Sequence, residues 1–425
     1  MTGEEALLRI ESVGINGDGL AHHRGKAVHL PFTAPGDLVR VRFDHAAAPT
    51  GRARVTAIDE PGPRASPRCP HFGACGGCAL QHLPDPVYAE TKVAWLAAAL
   101  AHRGLGGVAL SPLILLPPGT RRRARFSVRR PRDAKAPAEV GFKARGSHRV
   151  VDMRRCAVLD PALVALVPPL RALARLVFAP GEEGSATATR VAAGVDLLLD
   201  LAAEPRLAQL EDLAAFARDQ DLARLSWRTA GSAPTPAAER RRIQIEFGGI
   251  AVDLPPDIFL QASAEADAAL TRAVGAALAG ADRIADLYAG VGTFALPLAK
   301  AARVHAVEID AASVAAFGAA VRRAGIDGRL TLERRDLDAR PLAPAELARF
   351  DAVLFDPPYG GARAQSTALA RSAVATIVAV SCNPATFARD ARILVDGGYR
   401  LLSVQPVDSF LWSANLELVA RFERG

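Results

Sequence analysis

The sequence predicts an α/β protein whose C-terminal half is a largely parallel, doubly wound sheet and whose N-terminus is a small β-barrel. From about residue 250, short apolar strands alternate with helical stretches, which indicates a parallel sheet. Two of these strands, Ala352 to Phe355 and Ile377 to Val380, end in proline-rich turns, and a third leads into the glycine-rich run DLYAGVGTF, after which a helix is predicted from about Thr293. Residues 5 to about 58 instead alternate apolar and polar positions between glycine-rich turns, which is typical of short antiparallel strands.

The composition indicates a soluble protein with a basic balance. The chain has 425 residues, enough for two or three domains, and its formal net charge of +7 favours a polyanionic partner such as nucleic acid. No apolar run is long enough to cross a membrane, and the N-terminus MTGEEALLRI is acidic where a signal peptide is basic. We therefore expect a cytoplasmic location, no membrane association and no obligate protein partner.

The first element is the barrel, whose turns are GDG, HRGK and PGD. Small barrels of this kind bind RNA, although a purely structural barrel fits the same pattern. The stretch resembles a TRAM domain, an OB-like RNA-binding module attached to RNA-modifying enzymes. The proline-rich segment EPGPRASPR follows as a linker, so the barrel ends near residue 60.

A group of thiols follows the linker. Cys69, Cys75 and Cys78 have C-x5-C-x2-C spacing among glycines that let the backbone fold around a metal. Cys156 is the fourth candidate ligand, because Cys382 is set aside for chemistry. Four cysteines suit either zinc or an iron–sulfur cluster, and the spacing does not decide between them. A disulfide framework is not expected without a secretion signal.

Basic residues concentrate in the middle of the chain. Four arginines of GTRRRARFSVRRPR share one face of an extended strand, a stripe suited to a phosphate backbone. They are Arg121, Arg123, Arg125 and Arg129. The neighbouring stretch GFKARGSHRVVD adds Lys143, Arg145, His148 and Arg149. We predict RNA contact here, and a solvated face without a ligand is the alternative.

Gly290, Gly292 and Glu308, the acid that ends the next strand, form a nucleoside-binding pattern. Glycines allow a close backbone approach, and an acidic side chain binds ribose hydroxyls. A dinucleotide enzyme would more often have a third glycine where this chain has Ala295, so S-adenosylmethionine fits better. Asp336, after the following strand, is placed either to reach the adenine edge or to cap a helix.

Asp356 and Cys382 are predicted to lie at neighbouring strand ends, one on the turn of DPPY and the other in SCNP. A carboxylate that orients a substrate beside a nucleophilic thiol indicates covalent catalysis. The alternatives are an ordinary DPP turn and a small buried cysteine.

Motifs along essentially the whole chain resemble those of the RNA (uracil-5-)-methyltransferases, a family that includes the RlmD, RlmC and TrmA types. The motifs are DIFLQAS, DLYAGVGTFALPLA, VEID, DPPYGGA, VSCNPATFARD and DSFLWSANLELV, in that order. The TRAM-like barrel and the cysteine motif place the chain nearest the RlmD type. The resemblance implies a TRAM barrel at 1–60, a central α+β domain with a four-cysteine cluster site at 61–248, and a Rossmann-like S-adenosylmethionine methyltransferase domain at 249–425. It further implies that segment 85–110 packs on the catalytic domain.

The resemblance also implies roles for individual residues, by motif position. Cys382 matches the nucleophile, and Glu417 matches the general base. The residues that match cofactor-binding positions are Gln261, Tyr288, Thr293, Glu308, Asp336 and Asp356. The resemblance also implies a 4Fe–4S cluster, whose ligands would be Cys69, Cys75, Cys78 and Cys156.

The implied reaction forms 5-methyluridine in RNA, with 23S ribosomal RNA favoured over transfer RNA as the substrate. The Cys382 thiolate adds to C6 of a flipped uracil, C5 accepts the methyl group, and Glu417 removes the C5 proton.

The chain departs from the family pattern at Tyr359, Ser263 and Asn415, where the family has Arg, Asn and His. The DPPY motif also fits methyltransferases of exocyclic amines, which need no thiol. The departures fit an RNA-binding homologue without catalysis as well, so both alternatives stay open.

Overall fold

The N-terminal strands form two antiparallel sheets around one apolar core. This computed structural model describes residues 4–43, 53–133 and 135–425, so part of the predicted barrel, 44–52, lies outside the described residues. The strands are β1 (Glu5–Arg9), β2 (Ser12–Val13), β3 (Asp18–His23), β4 (Lys26–Pro31), β5 (Leu38–Phe43) and β6 (Ala53–Glu60). The sheet orders are β1-β5-β6 and β2-β3-β4. Alternate residues of β5, among them Val39 and Val41, are buried, as the period of a strand requires.

A connecting segment and a second, mixed sheet follow. The segment contains α1 (Asp85–His102), β7 (Ala109–Leu110) and β8 (Ile114–Leu115). The sheet and its helices are β9 (Arg123–Arg129), β10 (Glu139–Lys143), β11 (Val150–Asp152), α2 (Pro161–Ala165), α3 (Val167–Val177), β12 (Glu183–Val191), β13 (Gly194–Asp200), α4 (Leu207–Asp219), β14 (Arg224–Arg228) and β15 (Thr235–Glu239). The strand order is β11-β10-β9-β12-β13-β14-β15. The helices cover one apolar face, with Leu170 and Leu173 of α3 packed in the same cluster as Phe126 of β9.

The C-terminal part is the predicted largely parallel sheet. After the hairpin of β16 (Gln244–Phe247) and β17 (Ile250–Asp253), its elements are α5 (Ala264–Ala277), β18 (Arg283–Leu287), α6 (Ala295–Leu298), β19 (Arg303–Glu308), α7 (Ala311–Ala324), β20 (Leu330–Arg334), α8 (Pro344–Leu347), β21 (Ala352–Phe355), α9 (Arg363–Ala370), β22 (Thr376–Ser381), α10 (Pro384–Asp396), β23 (Tyr399–Asp408) and β24 (Glu417–Arg424). The order is β20-β19-β18-β21-β22-β24-β23-β7, and the strands from β20 to β22 run parallel. All residues of β21 are buried because helices cover both faces.

Helix α1 belongs spatially to the C-terminal sheet, although the central sheet follows it in sequence. Leu96 and Leu100 of α1 share an apolar cluster with Phe387 and Ala391 of α10. Strands β7 and β8 pair in parallel with β23 and so extend the same sheet. Among the described residues, no helix combines the length and the apolar character needed to span a bilayer.

Candidate active site

The carboxyl ends of β18, β21 and β22 open into a cleft of about 790 Å³. Strand order reverses between β18 and β21, and open α/β sheets form a crevice at such a point. The cleft is lined by most residues to which the sequence assigned a role, namely Gln261, Tyr288, Glu308, Asp336, Asp356, Cys382 and Glu417. Thr293 is described but is not among the lining residues, since it lies in the turn before α6.

The turn after β18 brings backbone close to the cleft. Tyr288, Gly290 and Gly292 all have left-handed backbone, with φ of 63°, 56° and 93°. A Cβ on Gly292 would lie 2.6 Å from the Phe317 ring, so glycine is required there for packing as well as conformation. The helix predicted from about Thr293 is only the short α6, because the chain is still turning at 291–294.

Two acids lie at the carboxyl ends of the next strands. The N–H groups of Gly290, Ile309 and Asp310 donate to the Glu308 carboxylate at 2.9, 2.8 and 2.8 Å, which fixes it at the edge of the cleft. Asp336 accepts from the N–H groups of Asp338 and Ala339 at 3.0 and 3.1 Å. Asp336 therefore caps a turn and not a helix, and it still lines the cleft.

Strand pairing brings Asp356, Cys382 and Glu417 together at the other side of the cleft. Asp356 directly follows β21, Cys382 follows β22, and Glu417 begins β24. Ser381 pairs with Leu418 in the antiparallel ladder, so the residue after one and the residue before the other are neighbours. The Gln261 amide donates to Asp356 at 3.2 Å. Glu417 is 3% exposed, and Cys382 is half-buried.

Burial sets the protonation of these groups. It raises the pKa of Asp356 to about 7. Burial and the Asp356 charge raise the pKa of Glu417 to about 8. Burial, Glu417 and Asp356 together raise the pKa of the Cys382 thiol to about 12. The thiol is thus protonated at neutral pH, and the nearby carboxyls are the groups that can accept its proton.

Sequence reasoning missed Asp286, which lies on β18 directly beneath this site. The side chain is fully buried, and burial, Asp356 and Glu308 hold its pKa well above the usual range. The available signal was an acid inside the otherwise apolar run IADL.

The predicted arginine stripe is only partly as expected. Arg123, Arg125 and Arg129 lie on one face of β9, but each is paired with a carboxylate of the protein. The pairs are Arg123–Asp257 at 2.7 Å, Arg125–Asp200 at 2.9 Å and Arg129–Glu139 at 3.2 Å. Arg121 precedes the strand, and its guanidinium lies 5.8 Å from the Phe410 ring centroid. The stripe is not free positive charge, because adjacent elements bring acids to the same face.

A second cavity, of about 520 Å³, is lined by Cys69, Cys75, Cys78 and Cys156. The Gly77 N–H donates to Cys75 Sγ at 3.4 Å, and burial raises the pKa of Cys75, Cys78 and Cys156. Within the described parts of the chain, no three His, Cys, Asp or Glu side chains are close enough to hold a single metal ion. The four predicted ligands share one cavity.

The sequence is similar to known proteins along nearly its whole length. Residues 243–420 match the tRNA (Uracil-5-)-methyltransferase family model, and residues 1–56 match the TRAM domain. An uncharacterised RNA methyltransferase of Brucella suis is 41% identical over 98% of each chain. The 23S rRNA (uracil(1939)-C(5))-methyltransferase RlmD of Chromohalobacter salexigens is 35% identical over 96% of this chain and 87% of the relative.

A solved structure has the same fold over the whole chain. It is the tRNA (uracil-54, C5)-methyltransferase of Pyrococcus abyssi in complex with S-adenosyl-L-homocysteine, with a TM-score of 0.72 and 21% identity over 99% of this chain and 100% of that one. The predicted α/β fold class is therefore confirmed. By the similarity of its whole length to these relatives, the chain belongs to the RNA (uracil-5-)-methyltransferase family.

Proposed function

We propose that the protein methylates C5 of a uridine in 23S ribosomal RNA through a covalent bond between Cys382 and uracil C6. The observation that carries the proposal is the cleft itself, which joins a thiol and two carboxyls on one side to Glu308 and Asp336 on the other. The identity to an enzyme named for 23S rRNA supports ribosomal RNA as the substrate.

S-adenosylmethionine fits the Glu308 side of the cleft. Glu308 is held by backbone N–H groups and keeps one lone pair, on Oε2, for a ribose hydroxyl, and Asp336 can accept from the adenine amino group. Gln261, Tyr288 and Asp356 line the same cleft, and we assign them to the reactive end of the molecule. When bound, S-adenosylmethionine supplies the methyl group that uracil C5 accepts.

The residues of the chain account for each proton and bond. A carboxylate beside Cys382 takes the thiol proton, and the thiolate adds to C6 of a flipped uridine, which makes C5 nucleophilic. After C5 has accepted the methyl group, the Glu417 carboxylate removes the C5 proton and the C6–S bond breaks to release the thiolate. A pKa of about 8 suits Glu417 to proton transfer near neutral pH.

We also propose that Cys69, Cys75, Cys78 and Cys156 bind a 4Fe–4S cluster. The donors would fit such a cluster, because four cysteine thiolates are its usual ligands and the four side chains line one cavity. The resemblance of the cysteine motif to that of the RlmD type favours the cluster over zinc. Its contribution is structural, since the reaction transfers no electrons. Anaerobically purified protein should be brown and should bleach in Cys75→Ser; colourless protein containing zinc would contradict the assignment.

A second candidate is methylation of an exocyclic amine by the DPPY motif. Tyr359 is 62% exposed and lines the cleft, so its ring is available to stack on a base. This reaction would leave Cys382 and Glu417 without a task, which is why we favour the uracil.

The deciding experiment is product analysis. Wild-type protein is incubated with unmodified ribosomal RNA and labelled S-adenosylmethionine, and the RNA is digested to nucleosides. We expect 5-methyluridine from wild type and from Glu423→Gln, a control on β24 at a residue paired with Arg421, and none from Cys382→Ala. An N-methylated base would select the second candidate, full activity of Cys382→Ala would exclude covalent catalysis, and absence of product from folded wild type would indicate a homologue without catalysis.

A further inference from the structure

The loop 409–416, which joins β23 to β24, carries Phe410 into the cleft and ends at Glu417. A buried lysine of α1 holds both ends of this loop. Lys92 is 0% exposed, and its Nζ donates to Asp408 Oδ1 at 3.0 Å, to the Phe410 carbonyl at 3.4 Å and to the Asn415 carbonyl. These three acceptors use all three N–H donors of the ammonium.

Tyr88 contacts the same loop one helical turn before Lys92. Its hydroxyl donates to Asp408 Oδ2 at 2.5 Å and accepts from the Trp412 N–H at 2.8 Å. Trp412 has left-handed backbone, with φ of 57°, a conformation that a bulky residue keeps only when its surroundings hold it. The start, middle and end of the loop are therefore each tied to α1.

Helix α1 also packs against the helix that follows the proposed nucleophile. It packs on α10 through Leu96 and Leu100, and α10 begins two residues after Cys382. The proposed nucleophile and the proposed base thus follow or begin separate strands, but α1 contacts the segment next to each of them. A buried ion pair often adds little net stability. Because Lys92 also donates to two carbonyls of the loop, we infer that it fixes the position of the loop.

We propose that Lys92, together with Tyr88 and Asp408, is a positioning residue that sets where Glu417 stands relative to Cys382. The inference rests on the proposed function, because it assigns Glu417 the removal of the C5 proton. If that step is slowed, the covalent RNA–protein adduct forms but resolves slowly.

The test follows the adduct on denaturing gels with labelled ribosomal RNA and S-adenosylmethionine. Glu417→Gln should accumulate adduct and Cys382→Ala should form none. Lys92→Met should form adduct and resolve it at least about tenfold more slowly than wild type, the size of effect expected when a catalytic group is misplaced. Tyr88→Phe, which removes only the hydroxyl, should resolve the adduct at a rate between those of wild type and Lys92→Met. Arg218→Met, at an exposed pair with Asp219, should behave as wild type.

A folding defect is separated by a double variant. Lys92→Met leaves Asp408 buried and unpaired, whereas Lys92→Met/Asp408→Asn removes both charges and should unfold at a temperature close to that of wild type. Slow adduct resolution in this folded double variant supports the proposal. If the double variant resolves the adduct at the wild-type rate while Glu417→Gln still accumulates it, the positioning role of Lys92 is contradicted and the proposed base is not. Failure of Glu417→Gln to accumulate adduct overturns the proposed base and the positioning task together.

Discussion

At the scale of single residues, the site depends on acids held away from water. Glu417 is buried and Asp356 is half-buried in the same cleft, where two interacting negative charges are poorly tolerated. Both carboxyls therefore keep protons to higher pH than in an unfolded chain. The same environment keeps the thiol of Cys382 protonated until a carboxylate accepts its proton.

This arrangement predicts how stability depends on pH. The folded-state pKa values, about 7 for Asp356 and about 8 for Glu417, exceed those of the unfolded chain. At pH values between the unfolded and the folded pKa, the folded protein therefore binds more protons than the unfolded chain. The resulting contribution to the free energy of unfolding is fully present below the unfolded pKa values and is lost as pH rises through about 7 to 8. Between about pH 6 and about pH 9, the melting temperature of Glu417→Gln should fall by a few degrees less than that of wild type. Glu423→Gln is the control, and parallel curves for Glu417→Gln and wild type would contradict the pKa of Glu417.

Sequence alone was sufficient for some residues and not for others. Cys382 and Asp356 were found because each follows an apolar strand, and Glu417 was found only by its motif. Lys92 was not found, because it lies in a helical stretch where a lysine reads as solvated. Its carboxylate partner, Asp408, is 316 positions away, a distance that no local pattern covers.

At the scale of elements, the cleft depends on how strands end. β18 ends in a turn with left-handed residues, whereas the predicted helix there is reduced to α6. The strands themselves were predictable, since β21 and the middle of β22 are fully buried apolar runs. The turn at Gly290 and Gly292 was also predicted, but its length was not, because its shape depends on Phe317 of α7 packing against Gly292.

The packing of this turn predicts a strong effect of one methyl group. Gly292→Ala places a Cβ 2.6 Å from the Phe317 ring at a φ of 93°. It should lower the free energy of unfolding by about 2 kcal/mol or more, and it should weaken S-adenosylmethionine binding because the turn must move. Urea unfolding and calorimetry measure the two effects.

The matched control for this substitution is Gly275→Ala, within α5, where a Cβ meets nothing within 4 Å. It should raise stability by about 0.5–1 kcal/mol, as alanine does in a helix. Equal stability of the two variants would show that the turn tolerates a side chain.

At the scale of the whole molecule, hydrogen bonds and an ion pair link the barrel, the cysteine loop (residues 69–78) and the C-terminal sheet. Trp95 of α1 donates to the Val13 carbonyl at 2.7 Å, and Arg145 pairs with Asp18 at 2.7 Å. The Gly76 N–H donates to the Lys143 carbonyl at 2.9 Å, which joins the cysteine loop to the basic turn 143–149. The sequence indicated these parts but not their contacts, because each contact joins segments remote in the chain.

The difference between paired and unpaired cations predicts which of them bind RNA. Lys143 and Arg149 are exposed, and no carboxylate among the described residues pairs with them, whereas Arg125 is paired with Asp200. A cation already neutralised by the protein releases few counterions on binding. Lys143→Ala and Arg149→Ala should each weaken binding to ribosomal RNA and lower the slope of log K against log salt by about one. Arg125→Ala, the same loss of charge at a paired position, should change the slope by much less. Fluorescence anisotropy over a salt series measures these slopes. An equal change of slope in Arg125→Ala would show that the arginines of β9 also contact phosphate groups of the RNA.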